Sequence, residues 1–160
     1  MIERGLLAGA AGIVVLDGVT YLDELIRARP PSQLPSTVVQ KLAANVGFSA
    51  LASEEGDAAK NRRSGAGSLM GYAVGLGAAV AHATVRPATR WLPWPLAGIL
   101  LGGATLVVSE GMATKLGATD WGTWTPAEWL SDIIPRTFYG LTVAYVLERL
   151  IAGDQFATER

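Results

Sequence analysis

Three ionisable side chains stand inside stretches that are otherwise apolar: Asp17, Glu110 and Arg136. A carboxyl removed from water can hold a proton or a cation, and a guanidinium can clamp a carboxylate, so these residue types together suit ion pairing or ion handling. Their depths agree if each apolar stretch is a helix rising 1.5 Å per residue. Asp17 is then roughly 18 Å from the face carrying the chain termini, Glu110 roughly 21 Å, and Arg136, counted back from Leu150, about the same. Tyr139 follows Arg136 by one turn, and Tyr72 lies nearby in depth. Asp17, Thr20, Tyr21 and Glu24 fall at the i, i+3, i+4, i+7 spacing of one helix face, with Asp23 pointing elsewhere.

Asp17, Glu110, Arg136, Tyr21 and Tyr139 therefore form the candidate intramembrane polar cluster. In a structural role, Arg136 ties Asp17 and Glu110 together and fixes helix register. In a functional role, the mismatch of two acids to one Arg leaves a carboxyl free to carry a proton or bind a cationic substrate. His82, the single histidine, sits only four residues before Arg86, too shallow to join the acids, and reads as an interfacial or packing residue.

Other chemistries are missing. The chain has no Cys, so disulfides, thiolate catalysis and Cys-based zinc sites are excluded. No G-x-G-x-x-G, Walker P-loop, G-x-S-x-G or H-E-x-x-H pattern occurs. No metal or other cofactor is expected, and an enzyme is not. A net charge of −1 gives no basic face for nucleic acid.

These residues need elements to hold them. Half of the 160 residues are hydrophobic and only 17% are charged, against about 25% in soluble domains. Residues 5–16, 65–85, 94–108 and 137–147 contain no Asp, Glu, Lys or Arg. A spanning helix needs about 20 mostly apolar residues. The pattern predicts spans over about 5–26, 65–85, 95–116 and 133–151 in a single membrane domain covering residues 1–160. The first and fourth are marginal by composition and become credible as inner helices hiding polar groups. Small residues support close helix contact: Gly67, Gly71 and Gly75 in one span, Gly98 and Gly102 in another, with Gly5, Gly9 and Gly12 in the first. Two groups of tryptophans, Trp91 with Trp94 and Trp121 with Trp124 and Trp129, precede the third and fourth spans as interfacial belts.

Thr125-Pro126-Ala127-Glu128 has the form of a capping box with Pro at the first helical position. It predicts a short interfacial helix over about 126–132, with Pro135 kinking the junction to the fourth span. Pro35-Ser36 opens a short amphipathic segment to about Val46 within a polar loop over 27–64, of which 47–64 reads as mobile. Displacing the sequence by 93 residues sets Asp17 on Glu110, Gly9 on Gly102 and Gly18 on Gly111, while Pro35 and Pro126 each open a short helix. The expected fold is all-α: an integral membrane four-helix bundle of two tandem helical hairpins, a parallel internal repeat, with short interfacial helices.

Gly5-Leu6-Leu7-Ala8-Gly9, Tyr21-Leu22-Asp23, Arg29-Pro30-Pro31-Ser32 and Trp129-Leu130-Ser131-Asp132 resemble a group of small, uncharacterised bacterial four-helix membrane proteins. More distantly, the G-x-x-A-G pattern with its Pro-Pro loop looks similar to the YagU-like inner-membrane family. The resemblance implies a multi-pass protein of the bacterial plasma (inner) membrane and carries no activity with it. Small size, Gly-rich faces and the lack of a catalytic constellation lead to the expectation of an accessory or scaffolding subunit. Its partners would be the lipid bilayer and other membrane chains or itself as a homo-oligomer. The alternative is a small proton- or cation-coupled transporter or channel using Asp17 and Glu110.

Overall fold

The computed structural model describes residues 1–53 and 55–158. It is helical, without strand among the described residues: α1 (Ile2–Arg27), α2 (Leu34–Asn45), the single turn α3 (Ser49–Ala52), α4 (Asp57–Val85), α5 (Trp94–Lys115) and α6 (Pro126–Thr158). Short 3-10 turns at Arg86–Thr89 and Trp121–Thr123 lead into α5 and α6. By length and composition α1, α4 with the turn after it, and α5 could each cross a membrane. The α6 helix does not reach that apolarity, because Asp132, Arg136, Glu148 and Arg149 interrupt it.

Two boundaries differ from the sequence expectation. The polar stretch 47–64 is not a loop throughout, since α3 lies in it and α4 begins at Asp57, eight residues before the apolar run at Gly65. Hydropathy marks where a helix could enter lipid, not where its hydrogen bonding starts, and an acid in the first turn favours a helix start in water. The segment 126–132 is likewise no separate interfacial helix. It forms the first turns of α6, which continues through Pro135. The expected cap is present: Thr125 N–H donates to Glu128 Oε2 at 2.7 Å, and Glu128 N–H donates to Thr125 Oγ1 at 3.3 Å. At the other end of α5, Gly117 takes φ +65° and closes a Schellman turn, with Ala118 N–H donating to Ala113 O at 2.8 Å.

The four long helices pack in the order α4, α1, α6, α5, each antiparallel to its neighbour, while α4 and α5 touch only sparsely. Small residues set the close contacts. A Cβ on Gly5 would lie 2.8 Å from Val80 Cα, and one on Gly9 2.8 Å from Ala79 Cβ, so α1 lies directly on α4. On the other side of the row, Gly98 and Gly102 of α5 meet the backbone of α6 at Gly140 and Arg136. The buried core of Ala8, Ala79, Ala83, Val143 and Leu147, bounded by Tyr139, belongs to the half of the molecule nearer the chain termini. Outward faces are apolar: Val14, Leu25, Leu69, Leu100, Val107 and Val108 are exposed, whereas the interior of α5 holds Ala97, Gly98, Gly102, Thr105 and Glu110. With Leu147 and Val143 among the few large aliphatic side chains fully buried, most large apolar side chains lie outside, unlike the arrangement of a water-soluble helical domain.

Candidate functional site

Toward the opposite end, α1 stays on α6 while α4 and α5 remain apart, so that the α1–α4 pair and the α5–α6 pair form two walls of a cleft of about 1000 Å³. Residues from Ile13 to Tyr21 and from Gly67 to Gly75 form one wall; Thr105 to Ala113 and Ala127 to Tyr139 form the other. The α2 helix packs on α4 and, with Leu34, Pro35 and Val38, rims the cleft at its loop end. Gly67 permits that docking, because a Cβ there would come within 2.9 Å of the Pro35 backbone.

Each wall carries acid. On the first, Asp17 is half-buried, and the Tyr72 hydroxyl donates to its Oδ2 at 3.2 Å. On the second, Glu110 is buried at 2% exposure, and Arg136 Nη2 donates to its Oε1 at 2.8 Å. The same guanidinium also holds Asp132 one turn earlier, at 2.9 Å. Arg136 therefore pairs with Glu110 and Asp132, not with Asp17, which stands on the other wall. Depth along the axes was legible from residue counts. Which helix faced which was not, because it depends on how each helix is rotated about its own axis.

Tyr139 is almost fully buried, and its hydroxyl donates to Gly75 O at 2.5 Å, tying α6 to α4 across the inner end of the cleft. Tyr21 is 62% exposed and lines the cleft without a bond to the acids. Of the glycines expected to pack, Gly67, Gly75, Gly98 and Gly102 do so. Gly71 does not: nothing lies within 4 Å of a Cβ placed there, since it faces the cleft.

Three polar features escaped the sequence reading. Asp132 stands four residues before Arg136, the spacing of a helical ion pair, and that spacing could have revealed it. Asp23, on the face of α1 turned from the Asp17 stripe, accepts from Arg29 Nε at 2.7 Å and from Ser131 at 3.2 Å. Arg27 also bonds Asp23 and Ser131, so the loop end of α1 is tied to the start of α6. At the terminal end, buried Arg86 pairs with Glu148 at 2.5 Å and donates to Thr89 O and Leu92 O, closing the α4–α5 connection. His82 is half-buried beside this pair and away from the acids, as its depth implied.

The arrangement can bind. Of the bases lining the cleft, Arg136 is held by Glu110 and Asp132, and Arg27 and Arg29 by Asp23, so Asp17 pairs with none of them. An apolar cleft with excess acid favours a positively charged occupant. His82, the single histidine, does not line the cleft, and among the described residues no three His, Cys, Asp or Glu converge on a metal position. No family model, curated protein or solved structure matches the chain.

Proposed function

We propose that this chain is a non-enzymatic, multi-pass protein of the bacterial inner membrane whose cleft binds a cationic, partly apolar solute, in the service of proton- or cation-coupled passage across the bilayer. The observation carrying the reading is the pairing of acids on opposite walls, Asp17 and Glu110, in a cleft of about 1000 Å³ that all four long helices line. In this reading α6 is the fourth span. Its two deepest charges are tolerable in lipid because each has a partner, Arg136 with Glu110 and Glu148 with Arg86.

The two hairpins then act as tandem units. Each contributes one wall whose first helix carries an acid bonded from the second, Asp17 by Tyr72 and Glu110 by Arg136. The likeness is incomplete, because α1 lies along α6 whereas α4 and α5 barely meet. That difference leaves the α4–α5 side as the lateral entrance.

The test is binding of tetraphenylphosphonium, a lipophilic organic cation, to the purified chain in mild detergent, followed by uptake into proteoliposomes. Binding that weakens at least tenfold in Asp17→Asn, with folding intact, is the expected result. A chain that binds no lipophilic cation, or binds it equally well without the Asp17 charge, defeats the reading.

A second reading, an accessory or scaffolding subunit or a homo-oligomer, draws on one feature of α5. Gly103 and Gly111 have nothing within 4 Å of their Cβ positions, and with Val107 between them they leave a smooth outward strip suited to another helix. Against it, Gly67, Gly75, Gly98 and Gly102, which suggested free packing faces, are spent on contacts within the chain. Extraction from native membranes in mild detergent separates the two: fixed-ratio co-purification with other chains supports the subunit reading, and a lone chain removes its basis.

A further inference from the structure

The Arg136 cluster is left one positive charge short. One nitrogen of the guanidinium, Nη2, meets Glu110 Oε1 at 2.8 Å and Asp132 Oδ1 at 2.9 Å, so the two carboxyl heads converge on one point. Each uses one oxygen there. The other oxygens, Glu110 Oε2 and Asp132 Oδ2, are buried and meet no donor of the protein. The Thr114 hydroxyl, one helical turn beyond Glu110 and on the same face, is buried and unpartnered as well.

The charged and polar groups facing Glu110 do not supply the missing donor. From α6 come Asp132, Arg136 and Tyr139, and the Tyr139 hydroxyl is committed to Gly75 O. From α4 comes Tyr72, committed to Asp17, and from α1 comes Asp17 itself, another acid. Two carboxylates and one guanidinium sum to −1, and an unneutralised charge at this depth is costly.

We infer that the Glu110–Asp132 pair, with Thr114 beside it, is a binding site for one monovalent cation, a proton or an alkali-metal ion. The free groups are all hard oxygen, the donor type such ions take. A single positive charge brings the cluster to neutrality, whereas a divalent ion would overshoot it. The inference rests on the cleft being a cation site and assigns its two parts: Asp17 on the open wall takes the organic cation, and Glu110 with Asp132 on the buried side takes the coupling ion.

The experiment uses the full purified chain in mild detergent with no organic cation present. Thermal unfolding is followed by tryptophan fluorescence while NaCl or KCl replaces choline chloride at constant ionic strength, and while pH is stepped from mildly alkaline to mildly acid. A saturable rise in Tm of several degrees is expected. If Na⁺ or K⁺ raises it at alkaline pH, the ion is an alkali metal; if only acidification raises it, the ion is a proton. In Glu110→Gln the response should vanish and Tm at alkaline pH should equal or exceed that of the native chain, because the amide removes the excess charge. Asp132→Asn makes the same test if the first variant does not fold. Indifference of the native chain to both cations, a response retained in both variants, or failure of both variants to fold overturns the proposal. Loss of this response while tetraphenylphosphonium still binds through Asp17 would remove the inner site alone and leave the cleft reading intact.

Discussion

Gly102→Ala should loosen the α5–α6 wall, and its neighbour Gly103→Ala should not. A Cβ on Gly102 would stand 2.5 Å from Arg136 O, 3.0 Å from Arg136 C and 3.2 Å from Thr137 Cα. All three are backbone atoms, so no side-chain rotation relieves the contact. Ordinary contact begins near 3.4 Å, and the helices must part by about 0.9 Å to reach it. Overpacking of this kind costs about 1–3 kcal/mol. If the helices move as rigid bodies, the 2.8 Å Arg136–Glu110 bond opens to about 3.7 Å, beyond hydrogen-bonding reach. At Gly103 nothing lies within 4 Å of the new atom, and the same chemical change meets open space. Unfolding of both variants in mixed micelles, titrated with a denaturing detergent and followed by tryptophan fluorescence, measures the difference. A native-like Gly102→Ala, or an equal loss from Gly103→Ala, would show that the two helices do not meet along this line.

Two further outcomes follow from the ends of the bundle. Glu148→Ala leaves the buried Arg86 guanidinium with only its two carbonyl acceptors and should cost about 1–3 kcal/mol, less than for a fully buried pair because the Glu148 side chain is 35% exposed; the same micellar titration checks it, and native-like stability would refute the contribution of the pair. At the start of α6, the bonds from the Thr125 backbone and hydroxyl hold the Glu128 carboxyl below its usual range. A depressed carboxyl stabilises above its unfolded pKa of about 4.3 and loses that contribution as pH falls through the lower folded value. Amide-exchange protection over the first turn of α6, taken relative to the intrinsic rate at each pH, should therefore fall on acidification through that window, whereas Thr125→Ala should show low protection across the whole range; a pH-independent native protection would refute the cap's role.

Much of the helical outline was legible along the chain. Charge-free runs located the apolar parts of α1, α4 and α5, and Thr125 with Glu128 marked the start of α6 through a local bond pattern. Helix ends in polar sequence were less legible, as the start of α4 at Asp57 illustrates, because charged residues form helix in water as readily as loop. The candidate site was legible in membership and not in pairing. Asp17, Glu110, Arg136 and Tyr139 all line the cleft, yet Asp17 answers to Tyr72, while Asp132 completes the Arg136 cluster.

The sequence by itself determined how far along its helix each polar residue lies, since the rise per residue is fixed once the helix is located by its apolar run. It also determined that the helices could approach closely, through glycine at one-turn intervals. Only the tertiary structure decided which faces met. Gly98 and Gly102 against Gly140 set the rotation of α5 on α6 and so delivered Glu110 to Arg136, while Gly5 and Gly9 seated α1 on α4 and turned Asp17 to the other wall. Rotation about a helix axis is fixed by the fit of one backbone against another, and that fit involves residues far apart in the chain.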